Sequence, residues 1–140
     1  MQATRRKILM MGSGTFAVCA LTGLPAFATA TDEAIAAFTG GADVTEGGIT
    51  LTAPEIAENG NTVPIEVSAP GAESIVILAA GNPNPGVATF NFGPLAADQM
   101  ASTRIRLAGT QDVIAIAKMP DGTFHRASQE VKVTIGGCGG

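Results

Sequence analysis

Val63-Pro64-Ile65-Glu66-Val67 alternates apolar and polar side chains at every step. A period of two puts Val63, Ile65 and Val67 on one face and Pro64 and Glu66 on the other, which is the pattern of a strand buried on one side. Pro64 has no N–H to give to a ladder, so this strand is expected at a sheet edge. The same period recurs along the chain. Phe90 and Phe92 alternate, Ile105 and Leu107 alternate with Arg104 and Arg106, and Val131, Val133 and Ile135 alternate with Lys132 and Thr134. Ile49 to Leu51 reads as another short strand. Breakers separate these segments: a loop over Pro54–Gly60 closed by an Asn-Gly turn, the run Asn82-Pro83-Asn84-Pro85-Gly86, and a turn at Asp121-Gly122. About seven short strands with frequent turns and little helix predict an all-β fold, an antiparallel immunoglobulin-like β-sandwich.

Two segments break the alternation. Ile75-Val76-Ile77-Leu78-Ala79 and Val113-Ile114-Ala115-Ile116-Ala117 are apolar on both faces, whereas the outer face of a two-layer sandwich should be polar. Each needs a cover, either a helix or an apolar subunit interface. A short helix is expected over Thr31–Phe38. Thr31 would cap it, Asp32 and Glu33 would sit at its positive end, Ile35 and Phe38 share a face, and Gly40-Gly41 would stop it.

The first thirty residues read as an export signal rather than as fold. Arg5-Arg6-Lys7 precedes an uncharged, small and apolar run to Leu24, and both Ala26-Phe27-Ala28 and Ala28-Thr29-Ala30 fit a cleavage pattern. Glycines, Thr22 and Pro25 interrupt the run, and no charged stop follows it, which argues against a membrane anchor. The signal is of twin-arginine type, so a periplasmic destination is expected, as is assembly with a partner before export. Cys19 leaves with the signal. The remaining 110 residues are enough for one domain, 31–135, followed by a tail, and no second domain or repeat is visible. With Arg5, Arg6 and Lys7 gone, five basic and twelve acidic groups remain, a net charge of −7. That argues against nucleic acid and anionic membranes as partners, and the absence of Trp and Tyr removes most base-stacking platforms.

The chain closes on Gly136-Gly137-Cys138-Gly139-Gly140. Cys138 is the one cysteine outside the signal, so no internal disulfide is possible, and an odd cysteine in an exported chain points to an interchain bridge or a reactive thiol. Glycines on both sides give the backbone its widest freedom and contribute no burial. The segment is expected to be a flexible arm ending in a nucleophile, slim enough to enter a narrow pocket. Lys132 is the nearest cation in sequence, so activation of the thiol is expected from a partner's site.

Other chemistries lack parts. A single histidine, His125, and a single cysteine cannot make a two-His, one-Cys copper centre or a structural zinc site, so neither a metal nor a cofactor is expected. His125, after a turn, is expected at the surface or facing a partner. Glu55 and Glu58 are three apart but lie in a loop with no cleft for a sugar. No Ser-His-Asp motif is present, and the chain by itself lacks the parts of an enzyme.

The tail Val131–Gly140 resembles that of the SoxY family, the sulfur carriers of bacterial thiosulfate oxidation. Pro54–Gly60 with Val63-Pro64-Ile65, Asn82-Pro83, and Arg104-Ile105-Arg106-Leu107-Ala108 are similar to that family too. The resemblance implies that intermediates attach covalently to Cys138, with Gly136, Gly137, Gly139 and Gly140 forming the arm. It implies a heterodimer with a SoxZ-like subunit. It also implies transient contacts with a haem-containing conjugating enzyme, a sulfate-releasing hydrolase and, in some organisms, a sulfane dehydrogenase. Two other readings compete. One is an exported structural sandwich cross-linked through a Cys138 disulfide. The other is a ubiquitin-like carrier ending in Gly139-Gly140, which needs ATP and a smaller fold.

Overall fold

The apolar positions of the alternating segments meet between two sheets. The computed structural model describes residues 26–135, in which one helix, α1 (Ala26–Thr39), precedes nine strands: β1 (Val44–Glu46), β2 (Thr50–Thr52), β3 (Ile56–Ala57), β4 (Val63–Ser68), β5 (Ser74–Ala79), β6 (Gly86–Asn91), β7 (Met100–Ile105), β8 (Gln111–Lys118) and β9 (Phe124–Val133). The larger sheet has the order β1-β9-β8-β5-β6, with β3 also paired to β9, and the smaller has the order β2-β4-β7. Val63, Ile65, Val67 and Ile105 of the small sheet and neighbouring Leu107 pack on Ile75, Ile77, Val113, Ala115 and Val131 of the large one. This is the expected sandwich, with more strands than the seven expected.

Pairing within the sheets is antiparallel except along the outer side of β9. There β1 and β3 both run parallel to it, Val44–Glu46 against Phe124–Arg126 and Ile56–Ala57 against Lys132–Val133. Between them the Gln129 side chain donates Nε2–H to the Ala53 carbonyl at 2.6 Å. The edge expectation for β4 is corrected, since β4 is the middle strand of its sheet. Pro64 is accommodated because β2 pairs only with Glu66, Val67 and Ser68, leaving the Pro64 end of β4 without a neighbour on that side.

The doubly apolar strands β5 and β8 are covered by the chain itself. Val76, Leu78, Ile114, Ile116 and Phe124 turn away from the sandwich and pack under Ala34, Ile35 and Phe38 of α1. The rings of Phe38 and Phe124 meet edge to face, 5.8 Å apart at 73°, a geometry worth about 1 kcal/mol beyond area burial. Of the two covers considered, these faces therefore have the helix, and they give no support to a subunit interface. The helix also starts earlier than expected. Nothing in Ala26–Ala30 breaks it, so Thr31 is an interior, buried residue whose Oγ1 donates to the Ala80 carbonyl at 3.3 Å, and Asp32 and Glu33 fall outside the first turn. Its end is as expected: Gly40 and Gly41 adopt φ of 65° and 85°, and Gly40 N–H donates to Ala36 O at 2.8 Å.

Candidate functional site

The site is built from the C-terminal end of β9. Val131 is fully buried in the sandwich core and sets the strand's register, with Gln111 opposite it on β8. Beyond it, side segments take over. Lys132 N–H donates to Glu55 O at 2.9 Å, Thr134 N–H to Ala57 O at 3.1 Å, and Thr134 Oγ1 to Glu58 O at 3.2 Å. Val133 N–H donates to Thr110 Oγ1 at 3.0 Å. Last, Gly60 N–H donates to Ile135 O at 2.8 Å, while Gly60 O accepts from Leu107 N–H at 2.7 Å. The main chain is thus held as far as Ile135. Ile135 continues the sequence alternation of Val131 and Val133, but β9 ends at Val133 and Ile135 is 67% exposed. Cys138, with Gly136, Gly137, Gly139 and Gly140, lies outside the described residues, as do the paired arginines of the signal.

The Pro54–Gly60 segment, expected to be a plain loop, does two jobs. Its middle forms β3, and its Asn59-Gly60 end is a turn in which Asn59 Oδ1 accepts from Asn61 N–H at 3.0 Å. Glu55 and Glu58 are exposed beside the end of β9 and do not face each other across a cleft. Ile56, 58% exposed, flanks them.

Behind this end lies a buried polar pair that the sequence did not reveal. Asn82, 5% exposed, donates Nδ2–H to Arg106 O at 2.7 Å and accepts at Oδ1 from Ala108 N–H and Gln111 Nε2–H, both at 2.9 Å. Gln111 also donates to Gly109 O at 3.1 Å and accepts from Gly81 N–H at 2.8 Å. Asn in a Pro-rich turn ordinarily bonds its own neighbours. Here its partners lie 24 to 29 residues away, and no local pattern announces that.

His125 is not a free surface residue. It sits in β9 opposite Thr45 and Ala117, half-buried, and its Nδ1 is buried without a hydrogen-bond partner. Gly48, at φ 75°, packs so closely that a Cβ there would lie 2.7 Å from Nδ1. Nearby, Asp121 is held below its ordinary value of 3.8 by hydrogen bonds from the Thr123 hydroxyl and amide, with a minor contribution from His125. Among the described residues, no group of three His, Cys, Asp or Glu side chains could hold a metal ion, and no helix is long and apolar enough to cross a membrane. A shallow groove of about 660 Å³ lies over the outer face of β4 and β7, lined by Pro54, Pro64, Glu66, Ser102 and Arg104.

Comparisons with known proteins span most of the chain. A family model described as sulfur oxidation protein SoxY matches residues 35–138, through the cysteine itself. The chain belongs to the SoxY family. Among solved structures it is similar to the sulfur carrier protein SoxY from Chlorobium limicola f. thiosulfatophilum, with 40% identity over 77% of this chain and 99% of that one and a TM-score of 0.68. It is also similar to a superoxide reductase (neelaredoxin) from Ignicoccus hospitalis, with 21% identity over 62% of this chain and 80% of that one and a TM-score of 0.55, a likeness of fold alone. No curated protein sequence matches the chain.

Proposed function

We propose that this SoxY-family chain is a non-catalytic sulfur carrier that holds intermediates of thiosulfate oxidation on Cys138 and presents them to partner enzymes. The observation that carries the reading is the hold on Ile135. The Ile135 carbonyl, held by Gly60 N–H, stands three residues before the thiol. Three residues extend at most about 10 Å at 3.3–3.6 Å each, which bounds how far the sulfur can stand from Ile135. The glycines at 136, 137, 139 and 140 keep the tail slim.

In loading, the Cys138 S–H bond breaks and an S–S bond forms to the sulfane sulfur of thiosulfate. One proton is released, and two electrons pass to the haem-containing conjugating enzyme. The product is a cysteine S-thiosulfonate. Hydrolysis then splits the bond to the terminal sulfonate, water supplying the oxygen of the released sulfate and leaving a persulfide on the cysteine. A sulfane dehydrogenase oxidises that sulfur where one exists. Oxidation and hydrolysis are the partners' chemistry; this chain supplies the thiol and its placement. A SoxZ-like subunit is the expected stable partner. The twin-arginine signal sends the protein to the periplasm, and cleavage after Ala28 or Ala30 would leave Asp32 and Glu33 in the first turn of the shortened helix, where their charge is favourable.

Intact-mass measurement of the protein from thiosulfate-grown cells tests the proposal. Adducts of thiosulfonate and persulfide mass on the wild type and none on Cys138→Ser are expected. Adducts on Cys138→Ser, or a permanent reducible dimer formed regardless of thiosulfate, overturn it.

A further inference from the structure

We infer that the buried Asn82–Gln111 pair is a positioning device for the root of the C-terminal arm, acting through the 106–110 loop and Gly60 on Ile135. A continuous line of hydrogen bonds joins them. Asn82 fixes Arg106 O and Ala108 N–H, the intervening Leu107 N–H holds Gly60 O, and Gly60 N–H holds Ile135 O. A parallel branch runs from Gln111 past Gly109 to Thr110, whose Oγ1 holds Val133 N–H.

The alternative is that β3 alone secures the root. β3 pairs through only two residues, Ile56 with Lys132 and Ala57 with Val133. A ladder that short is marginal without further support. The 106–110 loop, by contrast, is pinned at both levels. The Leu107 side chain is fully buried in the sandwich core, and the polar groups of Asn82 and Gln111 are matched by five hydrogen bonds. Even Gly81 is shaped to the pair, since a Cβ there would meet Gln111 Cβ at 2.9 Å. A satisfied buried network of this kind favours one arrangement of the loop over its neighbours.

The consequence for loading rests on the carrier reading. With the root held at Ile135 the tether to Cys138 is three residues; released back to Lys132 it is six. The local concentration of a tethered group falls as about the −3/2 power of tether length, so doubling the tether lowers it about threefold.

The test uses the full carrier with Asn82→Ala and with Asn82→Asp, which keeps the acceptor for Ala108 but sets a carboxylate oxygen against Arg106 O. Native-state hydrogen exchange is read at Ala108, next to the substitution, and at Gly60 and Thr134, at the root. Loading of Cys138 with thiosulfate by the conjugating enzyme gives kcat and KM for the carrier, and a small aromatic disulfide reports bare thiol reactivity. Expected for Asn82→Ala are faster exchange at Gly60 and Thr134 together with Ala108, kcat lowered about threefold at unchanged KM, and an unchanged rate with the small disulfide. Asn82→Asp, with acceptor facing acceptor in a buried site, should lose at least as much protection and kcat. Faster exchange confined to Ala108, or an unchanged kcat, overturns the inference. Should the Asn82 variants not fold, Thr110→Val removes the exposed bond to Val133, and unaltered exchange at Val133 and Thr134 there overturns it as well. The exchange readout is independent of sulfur chemistry, so it stands whether or not Cys138→Ser disproves the carrier reading.

Discussion

The two ends of β9 are secured by different means. At its start, ladders with β1 and β8 on both sides are joined by side-chain packing: Phe124 is buried against Phe38, and Gly48 packs closely on His125. At its finish, the main chain is held by bonds from Glu55, Ala57, Gly60 and Thr110, while the side chains of Lys132 and Ile135 face solvent. Apolar packing resists disruption but fills the surface with bulk. Backbone bonds fix a direction and leave the outside slender. On the carrier reading the first end serves stability and the second delivery of the thiol, and substitutions at the two ends should separate these properties.

The sharpest separation comes from Cys138→Ser, beyond the delivering end. Sulfur loading should vanish in intact-mass spectra while the melting temperature stays unchanged. At the other end, Phe124→Ala should lower unfolding free energy by about 3 kcal/mol, measured by denaturant titration, with the folded fraction loading normally. Gly48→Ala should cost about 1–2 kcal/mol, since an alanine is strained at φ 75° and its Cβ displaces the His125 ring; loading should again be unaffected. Thr134→Val removes one exposed bond to Glu58 and should cost about 0.5 kcal/mol, yet it should lower the loading kcat measurably, reversing the ranking seen at the Phe124 end. The smallest effect belongs to Asp121. Its carboxyl titrates lower in the folded chain than in the unfolded one, so its contribution is present above pH 3.8 and is lost as pH falls through the folded value. The melting temperatures of wild type and Asp121→Asn should differ slightly at neutral pH and converge in acid, once the folded-state carboxyl is protonated.

Much of this was readable in the sequence, because alternation is a direct image of burial. Val63, Ile65 and Val67 are all inward and buried, as a period of two requires. Ile35 and Phe38 share the covered helix face their spacing indicates. What escaped reading lacks a local signal. Phe124–Glu130 carries His, Arg, Ser, Gln and Glu and is a strand because β8 pairs with it residue by residue from Gln111 to Lys118. β1 and β3 are three and two residues long and exist through partners some eighty residues ahead. The same holds at the candidate site. The thiol and its glycines are plain in the sequence, but the bonds that decide where the tail begins run from Asn82, Gly60 and Thr110, each ordinary in its own neighbourhood.

One feature of the β9 margin bears on self-association. Strand edges template the addition of foreign strands, and natural sheets screen them to avoid fibrous growth. Along β9 the screen is assembled from three pieces in series: β1, the Gln129 amide reaching Ala53, and β3. Among the described residues, a second copy of the chain finds this side of β9 occupied at both ends and crossed in the middle. On the carrier reading, an enzyme approaching the thiol would meet a margin that copies of this chain are discouraged from pairing with.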